Sequence, residues 1–542
     1  MPTTPLDLPD YEVVPGTVYL IEGSHQAGGV QDIILLPPPS SDLKDPLRWS
    51  RWRKAYHLFL LVTYSSVLGA LTNWESPIYI DLGQHYQTKV DNLNIGSAIT
   101  ILMLGVGNVV FVPLSNKLGR RTIYIWTLLL VLLSQIWLGL STTIGDFQGA
   151  HVLLGIGAAP FEALVAISIS DVWFAHERGS KLGAYVFGLA FGSFVGPICA
   201  GYMSTSQGFR WIYWWGAILT GMLWGLFSFT FVESRFVRVG GTVRSGVVVV
   251  RKDAGLSSPL PVYGDDKTAQ LQQDINLSPR AGEVLESDHW SFQASLFKTY
   301  PDPWPQIISE FWRPLKVSIL PAVFWCGLNY GTCVSWLAVM ATTIAEVFAP
   351  PPYSFTNNNL GLIWIAPMIG SLIGAYFSGP LNDRFTLYLS NRNHGWSEPE
   401  FRLWAFIPSA IIMPAGLILY GVTSAHGMHW IVPIVGTGFV GFGLSVGGTV
   451  SMSYIIDCYK EIDTHAITTI ILIRNLVGFA ITWAIQPWIN GMGQQNAFIL
   501  VGVLSFVITG FAGVFIVFGK AWRRAMSELC ARLAAEAPAA SM

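Results

Sequence analysis

Three residues with chemistry to offer lie where the chain is otherwise apolar: Arg474 inside the run 464–488, and His151 and Glu162 inside the run 147–171. A guanidinium keeps its proton at any working pH, so Arg474 must find an anion or another polar partner in its apolar setting. A carboxyl can be neutralised simply by taking up a proton. That makes Glu162 the candidate proton carrier, the alternative being a structural polar group. Free imidazole titrates near pH ~6.5, so His151 either carries a proton as well or hydrogen-bonds a neighbouring helix. The spacing between the two is about three helical turns, which places them on roughly one face.

Arg474 has a candidate partner in Asp457, which ends the run 430–456. If those helices are neighbours, the pair Asp457–Arg474 neutralises both charges, a structural use favoured over a transport one. Glu75 and Glu346 fall near the ends of apolar runs and are expected at the membrane interface. The sequence offers no catalytic constellation, no phosphate-cradling Gly-rich loop and no cluster of metal-ligand type. It therefore argues against an enzyme, a nucleotide-driven pump, a metal site or a bound cofactor.

What must position these residues is a set of membrane spans. Hydrophobic residues make up 52% of the chain and charged residues 12%, with a mean hydropathy of +0.47; soluble domains are about a quarter charged. Crossing a bilayer takes about 20 apolar residues. Candidate spans are 55–80, 95–114, 122–141, 147–171, 181–203 and 211–232, then 315–348, 359–381, 403–423, 430–456, 464–488 and 497–519. The expected organisation is a disordered tail 1–54, a six-helix bundle 55–232, a central loop 233–314 with room for a short surface helix, a second bundle 315–519 and a tail 520–542.

Cations gather in every second gap, for example Lys117, Arg120 and Arg121, then Arg178 and Lys181, then Arg384, Arg392 and Arg402. The gaps on the other side hold only Lys89 and Arg210. By the positive-inside rule both termini and the central loop are expected to be cytoplasmic, which would leave the acceptor triplet at Asn276 unglycosylated. The plasma membrane is the default location, although a vacuolar membrane would show the same charge pattern. The net charge of −2 gives no footing for nucleic acid; the bilayer is the evident partner, and a monomer is expected. Amides and aromatics within the spans, Asn73, Trp74, Asn108, Asn329, Tyr330 and Trp364, are candidates to line a small-molecule cavity. For any one of them, packing or lipid contact is the simpler use.

Several motifs carry a family resemblance. The gap after the second span reads VPLSNKLGRRTIY (Val112 to Tyr124), and the second half keeps Gly379, Leu381, Asp383 and Arg384 at the corresponding place. The pair resembles the signature loop of the major facilitator superfamily, G-x-L-a-D-r-x-G-R-[RK]. Gly119, Arg120 and Arg121 match it; Asn116 stands where the family has a carboxylate, which removes a charge pair that the family uses as a cytoplasmic latch. The fifth span carries GSFVGPICAG, with Gly192, Gly196, Pro197 and Gly201. It resembles the antiporter motif of twelve-span drug:proton antiporters, and glycines four apart also let a neighbouring backbone approach closely. Gly370, Gly374 and Ser378 give the eighth span a similar small face. GFRWIYWWGAI, DPLRW, DVWFAHERG and YIIDCYKE resemble pieces of the fungal branch of that family.

The resemblance implies an all-α fold of two six-helix bundles related by a pseudo-twofold axis along the membrane normal. It also implies secondary active transport: proton-coupled export of a lipophilic small molecule such as a drug, toxin or secondary metabolite. The segment HVLLGIGAAPFEAL aligns with the family pattern R-x-x-q-G-x-G-a-a, so His151 occupies the place of an arginine linked there to proton transfer. Fold does not set direction, so uptake of a polar nutrient or a transporter-like sensor remain alternatives.

Overall fold

The computed structural model describes residues 16–19, 45–236, 300, 304–393 and 396–535. Most of the expected N-terminal tail and central loop, Asn276 included, and residues 536–542 lie outside the described residues. Among those described, twelve helices are long and apolar enough to cross a membrane. The first six are Arg51–His85, Val90–Leu118, Arg120–Leu140, Ile144–Val172, Ser180–Gln207 and Arg210–Thr230. The second six are Pro321–Phe348, Asn357–Arg392, Pro399–Ala425, Ile431–Cys458, Asp463–Met492 and Gln494–Ala525. They fall where hydropathy places them and most run longer, the eighth ending at Arg392 rather than at 381. The seventh is shorter than expected, opening at Pro321 rather than 315 because Trp304–Val317 is a separate helix. A helix satisfies its own backbone wherever it goes, so it continues into the polar boundary after the apolar run stops.

The first six spans form one bundle and the last six another; the side at which the first span begins, the sixth and twelfth end and the seventh begins is here the terminal face. The bundles meet where the second span lies along the eleventh and where the fifth touches the eighth. Glycine decides some of these approaches. Gly188, Gly192 and Gly196, four apart, seat the fifth span against Val62, Ser66 and Ala70 of the first, and a methyl at Gly192 would collide with the Ser66 carbonyl. The eighth span's Gly370 and Gly374 meet Gly438 and Phe442 of the tenth in the same way. The antiporter-like string thus packs mainly within its own bundle. Its Phe194, Pro197 and Gly201 also reach the eighth span, at Trp364, Gly361 and Asn357.

The expected tail and central loop both carry structure, in the loop at a helix of the kind it was expected to have room for. Within the supposed disordered tail, Val18–Tyr19 pairs antiparallel with Trp396–Ser397, and Asp45 caps a short turn at Pro46–Arg48. At the end of the central loop, Trp304–Val317 is a helix of four turns' length. The fourth span is interrupted: regular helix stops at Ala158, a tight turn occupies Ala159–Phe161, and helix resumes at Leu164. Pro160 explains the break, because it has no N–H to donate into the ladder.

Candidate functional site

The break in the fourth span delivers Glu162 to the boundary between bundles. Tyr185 of the fifth span steadies it by donating to the carbonyls of Phe161 (2.7 Å) and Glu162 (3.1 Å). The Glu162 carboxylate accepts from Asn108 Nδ2 of the second span (3.0 Å) and Asn475 Nδ2 of the eleventh (2.8 Å). Its other oxygen is in direct ion-pair contact with Arg474 Nη2 of the eleventh span. The two side chains are 5% and 9% exposed. Arg474 also donates to Asn475 Oδ1 (3.0 Å) and to the Tyr330 hydroxyl (3.4 Å), and its guanidinium carbon lies 5.1 Å from the Tyr330 ring centre.

This overturns the expected pair. Asp457 does not meet Arg474; it accepts from Arg402 Nε at 2.5 Å, while Asp383 accepts from Arg402 Nη1 at 2.6 Å. The reason is depth. Asp457 sits in the last turn of the tenth span at the terminal face, whereas Arg474 lies well inside a span that opens at Asp463, about 16 Å deeper by helical rise. Arg384 is exposed beside this node and, among the described residues, makes no hydrogen bond within it.

His151 belongs to a separate site. Its Nδ1 donates to the Phe147 carbonyl (2.8 Å), and its Nε2 faces Glu75 Oε2 (3.0 Å). Glu75 is therefore not interfacial as expected: it is 6% exposed and His151 2%. A carbonyl can only accept, so Nδ1 carries a hydrogen and the Nε2···Oε2 contact needs one further proton, on the imidazole or on the carboxyl. A residue that sequence reasoning set aside thus completes the dyad. The usable signal was the one applied to Arg474, a charge inside an apolar run.

The cavity candidates divide. Asn108 and Tyr330 join the central cluster, and Trp364 packs on Phe194 across the bundle boundary at 6.2 Å between ring centres. Asn73 bonds its own helix at the Gly69 carbonyl. Trp74 is buried inside the first bundle beside Tyr213, and Asn329 accepts from Thr509 inside the second, so neither faces a shared path. Below the central pair, Val112, Ala163 and Ile471 form a dry layer with Ile167, Met452 and Ile467 around it. Towards the opposite face the bundles are joined by Asn94–Gln486 (3.2 Å), Asp91–Asn490 (3.2 Å) and Asp81–Asn357 (2.7 Å). Glu346 sits there too, accepting from Gln486 Nε2 through both oxygens.

In the signature loop, Gly119 takes φ +82°, a conformation that favours glycine, with the Glu233 carboxylate where a side chain would go. Arg120 reaches Ser115 Oγ (2.6 Å), Asn116 Oδ1 (2.8 Å) and Asp171 Oδ2 (3.2 Å). Glu233 accepts the backbone N–H of Arg120 (2.8 Å) and Arg121 (3.1 Å). Asn116 does not leave a gap where the carboxylate is missing: its Nδ2 donates to Glu310 Oε2 at 2.9 Å.

The family model for the Major Facilitator Superfamily matches residues 60–476 of this chain. The chain belongs to that superfamily. An uncharacterized MFS-type transporter of Schizosaccharomyces pombe is 31% identical over 95% of this chain and 93% of that protein. Protein HOL1 of Saccharomyces cerevisiae is 28% identical over 95% of each. The xylose transporter XylE from E. coli, in a partially occluded inward open conformation, shares the fold with a TM-score of 0.57 at 13% identity, over 85% of this chain and 99% of that one. This is a multi-pass MFS transporter, and its homologues and fold are those of transporters rather than enzymes.

Proposed function

We propose that this MFS transporter is a proton-coupled secondary carrier that exports a lipophilic small molecule, with Glu162 as the coupling carboxylate. The observation that carries the reading is the meeting of Glu162 and Arg474, one from each bundle, well inside the fourth and eleventh spans. When the bundles rock apart, both charges lose their partner, and an unpaired buried charge is costly. Arg474 cannot shed its proton, but Asn475 and Tyr330 of its own bundle stay with it. Glu162 keeps only Asn108 beside its carboxylate and is neutralised by taking up a proton. Opening is therefore linked to protonation, and a substrate that stabilises the opened state competes with the closed ion pair. The His151–Glu75 dyad lies wholly within the first bundle, so rocking does not break it, and it serves as a second proton site on the far side of Glu162. The charge asymmetry of the gaps supports cytoplasmic termini, and the plasma membrane is the proposed location.

The test uses proteoliposomes under an imposed pH gradient, with rhodamine 6G as the lipophilic probe. Gradient-driven export by the wild type, lost in Glu162→Gln, is the expected result. Unchanged gradient-driven export in Glu162→Gln would remove Glu162 from the mechanism. A second reading, uptake of a polar solute, is favoured by the charged and amide character of the central cluster of Glu162, Arg474, Asn108 and Asn475. Indifference to rhodamine 6G, together with proton entry driven by a polar solute added outside, would move the assignment to that reading.

A further inference from the structure

The helix Trp304–Val317 has its amphipathic faces reversed relative to a helix on a water-facing surface. Trp304, Ile308, Phe311, Trp312 and Leu315 share one face at helical spacing and are 36–59% exposed. Ile307, Glu310, Arg313 and Val317 share the opposite face and are buried at 2–7%. Two charged residues point inward, and five apolar ones point outward with Lys316 at their edge, an arrangement that suits a helix whose outer surroundings are apolar and whose edge reaches the headgroups. The seventh span begins at Pro321, a few residues further on, and its exposed Ile319 approach and Phe324 continue the apolar stripe. The short connection holds the helix at the level of the bilayer boundary, where tryptophan is favoured.

The inward face grips both bundles. Glu310 accepts from Asn116 of the second span (2.9 Å). On the other side, Arg313 Nη1 donates to His465 Nε2 (3.3 Å), and the Pro314 carbonyl accepts from Thr469 Oγ1 (3.0 Å), both on the eleventh span. Just ahead of the helix, Tyr300 donates its N–H to the Lys117 carbonyl at 2.9 Å.

We propose that Trp304–Val317 is a bilayer-anchored latch. The headgroup–acyl boundary of the membrane covers its apolar face, while its charged face staples the two bundles together over the dry layer of Val112, Ala163 and Ile471. Parting the bundles on the terminal face then requires breaking the grip on one bundle or lifting the apolar face out of lipid. Membrane composition thereby acts on the opening step. The inference is independent of transport direction and of the role of Glu162.

Two measurements test it. First, Ile308→Cys and Trp312→Cys, each with Cys199→Ala to remove the exposed native thiol, are spin-labelled in phosphatidylcholine nanodiscs. Collisions with oxygen should exceed those with a water-soluble nickel chelate at both sites. Preference for nickel, or shielding from both with spin–spin broadening from a second copy, overturns lipid as the occupant. Second, modification of Ile471→Cys by a water-soluble maleimide is followed by peptide mass spectrometry. Glu310→Ala, which loses one hydrogen bond to a charged group, should speed the reaction roughly tenfold. Separately, the triple change Ile308→Ser, Trp312→Ser, Leu315→Ser, which strips the apolar face of its hold on lipid, should speed it as well. An unchanged rate in both overturns the latch.

Discussion

The two bundles tie down equivalent helix ends with their charges dealt out differently. In the first, Arg120 opens the third span and joins the ends of the second and fourth through Asn116 Oδ1 (2.8 Å) and Asp171 Oδ2 (3.2 Å). In the second, Arg402 near the start of the ninth span joins the ends of the eighth and tenth through Asp383 (2.6 Å) and Asp457 (2.5 Å). A second tie reverses its polarity. Glu233, just beyond the sixth span, accepts the backbone N–H groups that open the third. At the matching place, Arg523 near the end of the twelfth span donates to Glu400 near the start of the ninth, at 2.9 and 2.7 Å. What repeats is the position of a complementary contact, because attraction does not depend on which helix supplies which sign.

The largest break in this comparison comes at Glu400–Arg523, a two-pronged pair 4% and 1% exposed. Glu400→Ala leaves a buried guanidinium without its carboxylate and should cost about 3–5 kcal/mol, measured by denaturant unfolding in detergent. Glu233→Ala removes an acceptor from neutral backbone donors and should cost less, about 1.5–3 kcal/mol. Equal losses would show that the charge on the donor is immaterial to the strength of the tie. The swap Glu400→Arg with Arg523→Glu, which gives the second half a carboxylate on its last span, should recover part of the stability lost by either single change.

The arginine bridges rank next. Arg120 is 8% exposed, whereas Arg402 is 24% exposed and its partners are 57% and 33% exposed. Arg120→Ala should therefore cost about 2 kcal/mol, and Arg402→Ala about 1 kcal/mol or less, with that smaller effect fading as salt is raised. A salt-insensitive Arg402→Ala deficit larger than that of Arg120→Ala would reverse the ranking.

The same redistribution explains what could be read from the chain. The spans were legible because a bilayer imposes length and apolarity on every crossing, and the six-plus-six layout followed from them. Individual polar residues were legible too: Glu162 and Arg474 each stood out against an apolar background. Their partnership was not, because 312 positions separate them and no local pattern links the fourth span to the eleventh. Nearness in sequence favoured Asp457 instead, and counting helical rise from Asp463 would have argued against it. The second half's bridging arginine was missed for a related reason. It was sought beside Asp383, where the first half has it, but the eighth span runs on to Arg392 and the arginine arrives at Arg402. Trp74 and Asn329 misled because polarity within a span does not say whether the residue faces its own bundle or the other.

The smallest expected effect bears most directly on why the halves differ. Asn116 uses both ends of its amide, accepting from Arg120 and donating to Glu310. Asn116→Asp would make the first half resemble the second, with two carboxylates on one arginine. It would keep the contact to Arg120 but lose the donor, and it would set a carboxylate against Glu310. The gain at one end and the loss at the other should leave a net cost of about 1 kcal/mol in unfolding experiments. In a Glu310→Gln background the new carboxylate meets a donor, so the cost should vanish. A stabilising Asn116→Asp in the otherwise native chain would mean that the bridge through Arg120, rather than the reach to Trp304–Val317, governs that position. The amide at 116 would then be a weakened copy of the second half's carboxylate instead of an adaptation to the helix beside it.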